Sequence, residues 1–124
     1  MQLDVSVCNY DGYKPSGEST LDVVDRASRY IDTISARLSR LRGQFDLCIY
    51  NAGMDPFERC DIGGMLGVSE ETLSRREKLV FSWCHANKVP VAFVLAGGYT
   101  GRMLPSEKLV ELHRMTIAEA AAVA

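Results

Sequence analysis

Three short apolar runs, "LDVSV" (Leu3 to Val7), "FDLCIY" (Phe45 to Tyr50) and "VPVAFVLAGG" (Val89 to Gly98), each precede a longer stretch with helical spacing. This alternation constrains the fold more than any other feature of the chain. Apolar runs of that length, bounded by Gly, Pro, Asn and Asp, read as strands, and "FDLCIY" is apolar enough to be covered on both faces. The order β-α-β-α-β-α calls for parallel strands joined by right-handed crossovers. The expectation is an α/β protein: a three-layer α/β/α arrangement with a small, mainly parallel sheet of about three strands, in a single domain over 1–124. So thin a sheet leaves an edge for a second copy of the chain or for sequence from elsewhere.

The spacing of apolar residues fills in the helices. After the turn-rich loop "NYDGYKPSGEST", with Ser19 or Thr20 as cap, Leu21, Val24, Ala27, Ile31, Ile34, Leu38 and Leu41 recur at helical intervals. They predict one long amphipathic helix that stops near Gly43. Ser69 predicts an N-cap, followed by Glu70 and Glu71 in the first turn and a buried stripe of Leu73, Val80 and Cys84 with Leu79 and Trp83, to about Asn87. Ser106 predicts the cap of a last helix whose apolar members include Leu109, Leu112, Met115 or Thr116, and Ile117.

Composition narrows the function classes. A net charge of −2 offers no basic surplus for nucleic acid. No apolar segment approaches the ~18 residues of a membrane span, and no signal-peptide layout opens the chain, so the expected location is cytoplasmic, without nucleic-acid or membrane partners. The four cysteines, Cys8, Cys48, Cys60 and Cys84, lack CxxC spacing and read as reduced thiols. Cys60, beside Asp61 in a polar loop, is the one most open to other chemistry. His85 and His113 fall on predicted helices, and no His-x-x-x-His or Asp-x-His cluster exists to build a metal site by ordinary spacing.

Chemistry in an open parallel sheet belongs at the carboxyl ends of the strands. Two loops there stand out, "NAGMDP" after the second run and "AGGYTG" after the third, so Asp55 and Tyr99 can point into one space. From the residues alone, Asp55 reads first as an acid capping the turn before Pro56. Gly97 and Gly98 read as a turn with positive φ, or as a cradle for an anion lacking the Walker lysine and the full dinucleotide pattern. A dehydrogenase suggested by "YNAG" fails for want of a glycine-rich cofactor loop and a Tyr-x-x-x-Lys pair.

Taken together, "LCIYNAGMDPFE", "LGVSEETLSRREKLVFSWCHANKVPVAFVLAGGYT" and "LVELHRMTIAEA" resemble the C-terminal third of the histone deacetylase and acetylpolyamine amidohydrolase family, over roughly Phe45 to Ala121. The specific features are Ala52-Gly53-Met54-Asp55 leaving one strand and Gly97-Gly98-Tyr99 closing the next. The resemblance implies a partial arginase/deacetylase-like fold. It further implies that Asp55 is a zinc ligand, that Gly97 and Gly98 form a substrate loop, and that Tyr99 hydrogen-bonds the acetyl carbonyl as it becomes an oxyanion. Two departures are Ala96 at the head of the glycine run and Glu77 where the family often has aspartate.

The resemblance also implies a second aspartate and a histidine on the metal, and a histidine pair as general base and acid, all from an N-terminal portion without counterpart here. One carboxylate does not hold zinc tightly, and a water without a base is poorly activated. The expectation is the C-terminal part of a zinc-dependent amidohydrolase acting on acetyl-lysine or acetylpolyamine, inactive and without stoichiometric zinc as the isolated chain. The alternative is a non-catalytic truncated homologue serving as an oligomeric or binding module.

Overall fold

The computed structural model describes residues 1–9 and 12–124; the part of the expected 9–20 loop at residues 10 and 11 lies outside the described residues. Strands β1 (Leu3–Ser6), β2 (Thr20–Val23), β3 (Cys48–Gly53) and β4 (Val91–Ala96) alternate with helices α1 (Tyr30–Arg40), α2 (Glu70–Ala86) and α3 (Ser106–Val123). The chain is mixed α/β with parallel pairing, as the alternating pattern predicts.

The sheet differs from the expected one. It consists of two separate two-stranded parallel sheets, β1–β2 and β3–β4. The extra strand, β2, falls on residues assigned from their spacing to the start of a long helix. "TLDV" satisfies both patterns, with Leu21 and Val24 at helical spacing and Thr20 and Val23 β-branched. Tertiary pairing decides between them: Thr20 N–H donates to Gln2 O at 2.9 Å and Val24 N–H to Ser6 O at 2.8 Å. Ser19 therefore caps no helix; its Oγ accepts from Gln2 N–H instead. A 3₁₀ turn, Ala27–Arg29, leads into α1, which is shorter than its spacing suggests. Arg37 on α1 makes a forked ion pair with Asp22 on β2, Nε and Nη2 each reaching one carboxylate oxygen at 2.5 and 2.8 Å.

Helix α2 forms as its sequence predicts. Ser69 Oγ accepts from Thr72 N–H at 3.3 Å, Glu70 and Glu71 occupy the first turn, and Leu73, Val80 and Cys84 are buried. Phe81 joins them, meeting Tyr50 of β3 and Phe93 of β4 edge-on at ring-centre distances of 5.7 and 5.3 Å. Helix α3 starts differently from its prediction. Pro105 holds the N-cap position, no side chain caps the turn, and Ser106 is already the first helical residue. Leu112 and Thr116 face inward, and Ile117 is left exposed.

The expected three layers reduce to two. Alternation along β3 and β4 turns Cys48, Tyr50, Val91 and Phe93 toward the helices and leaves Ile49, Asn51, Ala92 and Val94 exposed on the other face. Among the described residues no helix covers that second face, and Ile49 is 77% exposed. No helix among them is long and apolar enough to cross a membrane.

Candidate functional site

The site grows from the carboxyl ends of β3 and β4. Met54, fully buried, extends the ladder one step by donating its N–H to Ala96 O at 3.0 Å. The chain then turns over Asp55 and Pro56, closed by Phe57 N–H to Met54 O at 3.1 Å. Pro56 suits this turn because its φ is fixed and it has no N–H to satisfy. Beyond β4, Gly97 and Gly98 both take positive φ, 64° and 80°. This double turn folds the loop back onto Asp55, whose Oδ1 accepts from Gly98 N–H at 2.9 Å.

The glycines are required by space as well as by backbone angle. A Cβ on Gly97 would collide with the Asp55 carboxylate, and one on Gly98 with Leu109 of α3 and Met54. The Asp55 carboxylate does not cap the turn before Pro56, which is closed by the main chain, but reaches across to the next strand's loop. It ties the "NAGMDP" loop to the "AGGYTG" loop. Tyr99 follows directly, its side chain 55% exposed.

Further residues gather here without having been marked by the sequence. Gly63, at φ 90°, lies against the Asp55 backbone and Cβ, and the Sγ of Cys8, just past β1, reaches the same point. Cys60, expected to be the thiol most open to other chemistry, is buried, 5% exposed, its thiol directed at Ile62 O at 3.1 Å and at Tyr99 O at 3.9 Å. It links the loop after β3 to Tyr99 and is shielded from solvent chemistry. All four cysteines are free; burial, and then neighbouring Cys48, push the Cys84 thiol up to about 12.

Behind the site is a buried polar network. Arg76 and Glu77, adjacent on α2, are almost completely buried and joined at 2.6 Å. Arg76 Nη1 donates to the Gly53 carbonyl at 2.6 Å and to Tyr30 Oη at 3.3 Å. Glu77 accepts from Tyr50 Oη at 2.6 Å and from Thr116 Oγ1 at 3.0 Å. Burial opposes the Arg76 charge, but Tyr30, Tyr50 and Glu77 outweigh it and raise its pKa, while burial drives the Tyr50 phenol upward. The Gly53 carbonyl held by Arg76 lies two residues before Asp55, so the network fixes where the acid leaves the sheet. The signal was present: positions 76 and 77 lie on the same helical face as Leu73, Val80 and Cys84, and charges there must be paired.

The two histidines do not join this site. His85 is exposed at the end of α2 and borders a cavity with Pro90 and Val91, at the opposite end of β4 from Gly97. His113 is half-buried on α3, its Nδ1 without a hydrogen-bond partner among the described residues. Asp55 is a competent zinc ligand by chemistry, yet among the described residues no three His, Cys, Asp or Glu side chains gather around one point.

The chain is 40% identical over 72 residues to an uncharacterized protein of Picosynechococcus sp.. The aligned stretch is 56% of this chain and 24% of that relative, so the chain spans about a quarter of its length. No family model and no solved structure matches.

Proposed function

We propose that these 124 residues form the C-terminal part of a histone deacetylase-like, zinc-dependent amidohydrolase, contributing one metal ligand, Asp55, and one oxyanion donor, Tyr99, to a centre completed by other sequence. The observation that carries this reading is the Asp55–Gly98 contact, which brings the ends of two strands together and places Tyr99 immediately beyond it. Zinc, when bound, would supply Lewis acidity and a water of lowered pKa. Asp55 holds its place through Gly98, and the Tyr99 phenol is free to donate to an amide oxygen gaining charge.

The test is hydrolysis of acetyl-lysine and acetylpolyamine substrates by this chain assembled with the sequence that supplies the remaining ligands. Tyr99→Phe should lower kcat about 10²- to 10³-fold with metal content unchanged, the usual loss for one oxyanion donor. An assembled protein that hydrolyses neither substrate, or a Tyr99→Phe variant with unaltered kcat, would overturn the reading. The second reading, a non-catalytic binding module, is favoured by the unpaired edges of the two small sheets.

A further inference from the structure

Strands β1 and β3 run side by side in the same direction without pairing. Met1 to Leu3 share one cavity with Leu47 to Ile49, Asp4 and Val5 share the next with Tyr50 and Asn51, and Cys8 and Asp55 both border Gly63 at the far end. The two cavities, about 390 and 370 Å³, have Gln2, Leu3, Leu38 and Ile49 in common and so form one groove. Helices α1 and α2 make its floor, through Ile34 and Leu38 on one side and Arg76 and Val80 on the other.

Both walls aim main-chain groups inward. Cys48 and Met54 donate their N–H groups to β4, so by alternation the N–H and C=O of Ile49 and Asn51 point into the groove. Gln2 and Ser6 turn their carbonyls to β2, so those of Leu3 and Val5 point into it from the other wall. The Gly53 carbonyl, on the same edge of β3, is already capped by Arg76, whose buried Nε has no acceptor among the described residues. Two facing parallel edges, a floor that is apolar except for its arginines, and an unmatched buried donor specify an extended chain with a hydrogen-bond acceptor near Arg76.

We propose that the groove receives one parallel β-strand from a polypeptide segment outside these 124 residues, joining β1–β2 and β3–β4 into a continuous five-stranded sheet in which the newcomer is central. The relative supports a segment of that kind, since about three quarters of its length lies beyond the aligned stretch. A second copy of the chain fits less well. Its exposed edges belong to the same two-stranded units, each bound to its own helices, and none among the described residues offers a lone strand. The inference stands without the deacetylase reading; where that reading holds, the carboxyl end of the inserted strand emerges beside Asp55.

Residue-resolved hydrogen exchange on the 124-residue chain tests this, with overlapping synthetic peptides covering the part of the Picosynechococcus protein outside the alignment. One peptide should slow exchange of the Leu3, Val5, Ile49 and Asn51 amides about tenfold or more. A proline at a central position of that peptide should abolish the effect without any change to the protein. The Ile49→Pro variant, which removes a groove-facing N–H and no hydrogen bond of the β3–β4 ladder, should keep the far-ultraviolet circular dichroism and lose the binding. The proposal is overturned if no peptide protects those amides, or if protection rises with concentration of the chain alone, which would assign the groove to a second copy. Protection confined to the outer edge of β4 would overturn it as well.

Discussion

The two halves of the molecule are built on the same parallel pair and differ in what lies beneath it. Around β3 and β4 the core is closed: Ala52, Met54, Leu73, Phe81 and Leu112 are fully or almost fully buried, and the Arg76–Glu77 network ties α2 to β3 and α3. No residue of β1 or β2 is buried, and that pair is held by α1 and by the Asp22–Arg37 fork. The site loops spring from the half with the closed core. Both halves present an edge to the groove, but only the β3–β4 half does so from a closed core, which is where rigidity is expected.

The sharpest way to break this comparison is to remove the buried network. Glu77→Ala leaves the Arg76 charge without its anion and takes the acceptor from Tyr50 and Thr116, so it should cost about 3–5 kcal/mol in denaturant unfolding. A loss comparable to that of a surface substitution would show that the β3–β4 half is not organised around this pair. Gly97→Ala is the next largest: positive φ and the approach to the Asp55 carboxylate should together cost about 1–3 kcal/mol. Its signature should be displacement of the Gly98 amide resonance with α1 unaffected. A uniform loss across both halves would mean that they are not separable.

The smallest effect belongs to the open half. The Arg37 hydrogen bond holds the Asp22 carboxyl below its usual range. Its contribution is therefore fully present above the unfolded-state pKa of about 4 and is lost as pH falls through the lower folded value. Asp22→Asn should lower the melting temperature by about one or two degrees at neutral pH, because the pair is partly solvated. That difference should close in acid. A difference that persists at low pH would assign the effect to packing of the side chain.

What could be read from the sequence, and what could not, follows the same division. Helix α2, its Ser69 cap and the strand leading to Asp55 were legible because local chemistry and tertiary contacts agree there. Residues 20–23 were not, because Leu21 and Val24 fit a helix as well as a strand and only pairing with β1 separates them. Ser106 missed its cap because Pro105, with no N–H and an extended ψ, already ends the loop. For the site, the Gly97–Gly98 turn was visible from composition. The burial of Cys60 and the arrival of Cys8 beside Gly63 depend on contacts between distant segments and carry no local signal.

The proposal that Asp55 is one ligand of a shared metal centre is tested most directly by zinc stoichiometry. Metal analysis should find less than one zinc in the isolated chain, one per chain after assembly with the sequence carrying the other ligands, and loss of that zinc in Asp55→Asn. An assembled protein that holds no zinc, or holds it equally well without the Asp55 carboxylate, would contradict the account.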